Sequence, residues 1–141
     1  MTSALQRVVV RAPGKINLSL MVGAVDSRGY HSLATVFQAV DLYETVTATR
    51  ADDLSLQVTS DVPGELPLDG SNLVLRAAEL LREECDLRLG AALHVHKQVP
   101  IAGGMGGGSA DAAATLVALD RLWGDRTGRR TPARARRTAR S

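Results

Sequence analysis

The chain has 141 residues, 45% apolar and 3% aromatic, with one cysteine and a formal net charge of +2. That length holds one modest domain with its own core, and no apolar run approaches the length that spans a bilayer. The lone Cys85 excludes an internal disulfide, suits a reducing cytoplasm and reads as structural within its helical pattern. Nothing resembles a signal peptide, because Val8–Val10 is short and is ended by Arg11. Residues 1–123 hold ten Lys/Arg against fourteen Asp/Glu, a balance of −4, whereas residues 124–141 hold seven Arg against one Asp, a balance of +6. The acidic body argues against nucleic-acid binding by the folded part and leaves only non-specific contact through the tail.

Residues 6–12 predict a strand ending at Pro13-Gly14, and residues 15–24 a second one with Ile16, Leu18, Leu20 and Val22 on one face. Asp26–Gly29 is a turn and residues 33–40 are extended. Residues 44–50 and 54–59 predict an antiparallel pair joined around Ala51–Asp53, and the Pro, Gly and Asp content of 61–70 predicts a loop. Ser71 or Asn72 caps a helix to about Glu84, with Leu73, Ala77, Leu80 and Leu81 as its apolar stripe. Residues 91–97 alternate Ala, Leu, Val against Ala, His, His and predict a strand. A last helix runs from Ala110 to about Trp123, with Asp111 favouring the dipole in its first turn. The order predicts an α+β domain over residues 1–123 with a mixed or antiparallel sheet. The Arg-rich tail, 124–141, lacks apolar periodicity and is expected to be disordered. So abrupt a change of composition is also what a shifted or cut reading frame produces.

Residues 100–114, Pro-Ile-Ala-Gly-Gly-Met-Gly-Gly-Gly-Ser-Ala-Asp-Ala-Ala-Ala, carry the strongest signal. Five glycines between Gly103 and Gly108 run into an alanine-rich helix opened by Ser109. A loop nearly free of side chains lets its N–H groups converge on an anion, and the helix start adds open donors and the positive end of its dipole. Such a nest suits a di- or triphosphate. It lacks the Lys that a Walker A loop carries before its Ser/Thr, and it does not fit G-x-G-x-x-G, which argues against a dinucleotide. Lys15, just after the Pro13-Gly14 turn, has its ammonium at a strand's mouth, where a phosphate or developing alkoxide could lie. Tyr30, His31 and Phe37 gather two of the four aromatics beside a histidine, either to stack on a base or to pack in the core. His94 and His96 have a spacing that zinc could use, but no third ligand lies near in sequence, so a solvent-facing pair is the simpler reading.

Taken in order, "APGKINLSL", "DSRGYHSLATVFQAVDLYETV", "SNLVLRAAELL" and "HKQVPIAGGMGGGSADAAATLVALDRLW" closely resemble the amino-terminal half of the 4-diphosphocytidyl-2-C-methyl-D-erythritol kinases of the non-mevalonate isoprenoid route. These belong to the GHMP kinase superfamily. The resemblance covers residues 7–123; Gly-Tyr-His is specific to this family, whereas the glycine loop is shared across the superfamily. It implies a GHMP-kinase amino-terminal domain with helices on one face of the sheet. It also implies ATP-dependent phosphorylation of the 2-hydroxyl of 4-diphosphocytidyl-2-C-methyl-D-erythritol in the cytoplasm. Carried across, Pro100, Ala102, Gly103, Gly104, Met105, Gly106, Gly107, Gly108 and Ser109 would hold the ATP phosphates, and Asn72 would lie near the adenine. Tyr30 and Phe37 would bracket the cytosine, with His31 on its edge and Asn17 at the erythritol end. Lys15 would be the catalytic charge beside the attacking hydroxyl and the γ-phosphate. Mg²⁺ would come with the nucleotide, with Ser109 contributing to its site.

The family is about twice this long. Beyond the helix that ends near Trp123 it carries a Gly-x-Asp-Val-Pro segment, whose Asp is usually assigned as the lysine's partner and general base. Here Asp61-Val62-Pro63 lies far upstream and the Arg-rich tail stands in that region. The expectation is therefore a chain without the carboxy-terminal lobe and impaired in transfer, a nucleotide-binding module at the least. A GHMP kinase for mevalonate, homoserine or a sugar is the other reading; Tyr30-His31 and the lack of a basic cluster for a carboxylate argue against it.

Overall fold

The structure, a computed structural model, describes residues 5–124. Its elements are β1 (Arg7–Val25), β2 (His31–Ala51), β3 (Leu54–Ser60), α1 (Leu73–Cys85), β4 (Gly90–Lys97) and α2 (Gly107–Trp123). The sheet order is β1-β2-β4-β3, with β1/β2 and β2/β4 antiparallel and β3/β4 parallel. This is the expected mixed sheet with both helices on one face. Val46, Ala48, Leu93 and Val95 point inward and pack with Val74, Ala78 and Leu81 of α1 and Ala114, Ala118, Leu119 and Leu122 of α2. On the opposite face, β2 and β4 present Thr45, Thr47, Thr49, His94 and His96.

Four expectations are corrected. Residues 7–25 form one strand, not two. Pro13-Gly14 is a register shift inside β1, which tolerates proline because it is an edge strand. Residues 44–50 and 54–59 are not a hairpin: β4 lies between them and pairs with both. The parallel β3–β4 pair needs a crossover, and α1 supplies it. Gly90 makes the insertion possible. A Cβ there would lie 2.4 Å from the carbonyl carbon and oxygen of Asp52, so only glycine lets β4 start against the β2–β3 turn.

The buried stripe of α1 is Val74, Ala78 and Leu81, while Leu73 and Leu80 are exposed. Of the two candidate caps it is Asn72 that closes the helix, its Oδ1 accepting from the Val74 N–H at 2.9 Å. Helix α2 starts three residues earlier than expected, at Gly107, so Asp111 lies beyond the first turn rather than in it, and its side chain is buried. The Arg-rich tail falls outside the described residues, apart from Gly124.

β4 pairs with β2 only along Thr45–Ala51. Residues 15–40 of the β1–β2 hairpin therefore project as a two-stranded ribbon with many exposed apolar side chains, Leu18, Met21 and Leu33 among them. No helix among the described residues is long and apolar enough to cross a membrane.

Candidate phosphate-binding site

After β4 the chain turns at Pro100–Gly103, where the Gly103 N–H reaches the Pro100 carbonyl at 3.4 Å. Ala102, Gly104 and Gly106 all take positive φ, 58°, 71° and 73°. Gly106 then caps α2 without any side-chain hydrogen bond. The first-turn N–H groups, including those of Gly107, Gly108 and Ser109, have no intrahelical acceptor. These residues line a concavity of about 310 Å³ together with Pro100–Met105, Lys97 and the apolar Leu66 and Leu73. Open amide donors at the positive end of a helix, beside an apolar wall, can hold a polyphosphate with a ring attached.

β1 holds the other side of the loop. The Lys15 N–H donates to the Met105 carbonyl at 2.9 Å, and its Nζ donates to the Gly104 carbonyl at 2.7 Å and to Asn17 Oδ1 at 2.8 Å. A Cβ on Gly106 would touch the Lys15 stem at 3.4 Å. The Phe37 ring lies 5.1 Å from the same ammonium. The register shift at Pro13/Lys15 thus turns a strand residue into a clamp on the loop.

Beneath the loop lies a cluster that the sequence reading missed. Lys97 Nζ, almost wholly buried, sits 2.6 Å from Asp111 Oδ2 and 3.2 Å from Glu44 Oε2. Glu44 Oε1 accepts the Val99 N–H at 2.9 Å. Both feet of the loop, the exit from β4 and the entry to α2, are fastened to this ion triad. A Cβ on Gly107 would approach Glu44 Oε1 at 3.3 Å and Lys97 Nζ at 3.4 Å. Burial pushes the Asp111 carboxyl up to about 6; Lys97 opposes the rise and Glu44 adds to it. The missed signal was strand parity: Lys97 continues the inward positions 91, 93 and 95, and Glu44 continues 46 and 48. Composition offered a second one. The chain has two lysines against fifteen arginines, and both lysines touch this loop.

Not every expected residue gathers here. Pro100 and Ala102–Ser109 line the concavity; Lys15, Asn17 and Phe37 do not line it but meet one another where β1 grips the loop at Gly104. Asn72 does not line it, and its amide is engaged elsewhere: Oδ1 caps α1 and Nδ2 donates to the Pro67 carbonyl at 2.7 Å. Tyr30 and His31 lie at the far end of the ribbon, where His31 Nδ1 is 2.8 Å from the Gly23 carbonyl oxygen. Six residues of extended strand separate His31 from Phe37, about 20 Å, so Tyr30 and Phe37 do not bracket one ring in this conformation. His94 and His96 point away from the helices, 3.0 Å from Thr59 Oγ1 and 2.8 Å from Asp61 Oδ2 respectively. Among the described residues no group of three metal-ligating side chains is found.

Comparison with known proteins gives a consistent result. Residues 72–140 match the family of GHMP kinases N terminal domain. The 4-diphosphocytidyl-2-C-methyl-D-erythritol kinase of Kineococcus radiotolerans is 55% identical over 128 residues, covering 88% of this chain and 39% of that protein. Its counterpart in Leifsonia xyli is 53% identical over 124 residues, covering 86% and 40%. Among solved structures, a 4-(cytidine 5'-diphospho)-2C-methyl-D-erythritol kinase superposes with a TM-score of 0.68 at 33% identity, over 82% of this chain and 41% of that one. A homoserine kinase from Cytophaga hutchinsonii shares the fold, with a TM-score of 0.63 at 24% identity. The chain spans about two fifths of the length of the relatives it matches.

Proposed function

From a chain that belongs to the GHMP kinases, homologous to the amino-terminal two fifths of the 4-diphosphocytidyl-2-C-methyl-D-erythritol kinases, we propose that residues 1–123 form the ATP-binding lobe of such a kinase, acting in the cytoplasm. Its reaction is transfer of the γ-phosphoryl of ATP to the 2-hydroxyl of 4-diphosphocytidyl-2-C-methyl-D-erythritol. The observation that carries this reading is the Lys15 ammonium fixed over a glycine loop whose helix start is open. The loop amides hold the phosphates, and Leu66 and Leu73 offer the apolar wall for the base. Lys15 places a fixed positive charge where negative charge grows as the hydroxyl attacks, and it eases loss of the hydroxyl's proton. Tyr30 and His31 at the ribbon tip are the contacts for the cytidine end, and Asn17 and Phe37 lie nearer the transferred group.

The residues present fit a Mg²⁺ ion carried in by the nucleotide. Ser109, an exposed residue, offers a hydroxyl in the lining, while Asp111 and Glu44 are turned down to Lys97. Bound there, the ion would neutralise charge between phosphate oxygens.

A second reading, nucleotide binding without transfer, is favoured by one observation. Among the described residues no carboxylate pairs with Lys15, whose Nζ partners are Asn17 and Gly104, so no general base stands beside it. Such a base typically supplies about 10²–10⁴-fold in rate. Hydrogen exchange on the purified chain tests both readings. Mg-ATP should protect the amides of residues 103–110, and cytidine diphosphate those of 29–32. Absence of protection by Mg-ATP would remove the kinase-lobe reading, and labelled product from this chain alone would remove the binding-only one.

A further inference from the structure

We propose that Thr35 is a positioning residue that sets the orientation of Asn17 and, through it, holds the Lys15 ammonium on the glycine loop. Four hydrogen bonds run in series. The Thr35 hydroxyl donates to the Ser19 carbonyl at 2.7 Å; Asn17 Nδ2 donates to Thr35 Oγ1 at 2.8 Å; Lys15 Nζ donates to Asn17 Oδ1 at 2.8 Å and to the Gly104 carbonyl at 2.7 Å.

The polarity of the series is fixed at its far end. A hydroxyl has one proton, and Ser19 takes it, so Thr35 Oγ1 can only accept from Asn17. The amide must then present Nδ2 to Thr35 and Oδ1 to Lys15. Without the hydroxyl the amide is free to turn and face the ammonium with its own donors, which repels it. Backbone geometry brings the partners together. The register passes from Asn17↔Phe37 to Ser19↔Val36, leaving Leu18 as the extra residue of a bulge, and Thr35 follows opposite Leu20. Two of the three N–H groups of Lys15 are engaged by Asn17 and Gly104, which leaves one for a bound phosphate.

The inference rests on the reading of Lys15 as a phosphate-facing charge, and the test separates the two. With ¹⁵N-labelled lysine the chain gives only two side-chain signals, Lys15 and Lys97, and buried Lys97 reports whether the fold is intact. Thr35→Val keeps the branched shape and the strand preference, and Thr35→Ser keeps the hydroxyl. The Lys15 ammonium signal should be held in the native chain and in Thr35→Ser, and exchange-broadened in Thr35→Val, with Lys97 unchanged in all three. Mg-ATP should bind Thr35→Val about 10-fold more weakly, the equivalent of one hydrogen bond to a charge, and Thr35→Ser almost as well as the native chain. A Lys15 signal in Thr35→Val equal to that in the native chain overturns the proposal. Broadening in Thr35→Val when Mg-ATP binds none of the three chains upholds the positioning of Lys15 and removes the nucleotide reading instead.

Discussion

Asp111 and Glu44 share the one ammonium of Lys97, so two buried carboxylates are left with a single positive partner. Burial holds the Asp111 carboxyl near 6, against an ordinary value of 3.8. A carboxyl raised in this way binds its proton more tightly in the folded state. Its contribution to stability is full below about pH 4 and is lost as pH rises through about 6. Denaturant midpoints of the native chain and of Asp111→Asn should therefore diverge. Moving from about pH 7.5 to about pH 5, the native chain should gain stability relative to the variant; a difference that stays constant with pH would show that the carboxyl is not held up. Lys15→Met bears on the other lysine. The stem still packs beside Gly106, but the bonds to Gly104 and Asn17 are lost. Mg-ATP affinity should fall about 10-fold or more, since a hydrogen bond to a charged group is worth about 1.5–3 kcal/mol, and calorimetric titration would measure it. Lys15 and the glycine loop are legible in sequence because a side-chain-free loop before a helix has few other uses. Glu44, Lys97 and Asp111 are legible only through strand parity, and Thr35 not at all, because its partner depends on a bulge that no local pattern announces.

β3 shows why the fold was only partly readable. Residues 54–60 alternate apolar and polar, and that alternation gives a strand and its inward face but not its neighbour. The short link at Asp52-Asp53 suggests a hairpin with β2. What breaks that pairing lies thirty-odd residues downstream, where Ala91 donates to the Asp53 carbonyl at 3.1 Å and Gly90 passes against Asp52. The expected α1 stripe of Leu73, Ala77, Leu80 and Leu81 holds only at Leu81 for a related reason: Val74, Ala78 and Leu81 share a face as well as Leu73, Ala77 and Leu80 do, and the packing partners decide which face is buried. Gly90→Ala tests the insertion. Its Cβ would meet backbone rather than a movable side chain, so the β4 start must shift, at about 1–3 kcal/mol as for other overpacked sites. Gly70→Ala, where a Cβ would meet nothing within 4 Å, is the control and should leave the melting temperature nearly unchanged. Equal melting temperatures for the two variants would mean that β4 does not start where the structure puts it.

At the scale of the molecule the core and the ribbon obey different rules. The core sits under the helices around Val46, Leu93 and Leu119, where side chains are buried to a few per cent or less. The ribbon exposes Leu18 at 62%, Met21 at 69%, Leu33 at 63% and Phe37 at 61%, although its strand pairing is complete from Ser19 to Val22. Hydrogen bonding therefore shapes the ribbon while apolar burial does little to hold it, and clustered apolar groups on a surface favour association. β1 adds an unpaired strand edge along the same side. The chain should accordingly self-associate as its concentration rises, and through the ribbon rather than the polar outer face of the sheet. Leu18→Thr with Leu33→Thr keeps strand preference while removing apolar surface, and neither residue contacts Lys15 or the loop through any hydrogen bond described. Sedimentation velocity over a concentration series should show the double variant closer to a monomer than the native chain, with Mg-ATP binding retained. If both chains sediment alike at every concentration, the ribbon is not where the molecules meet.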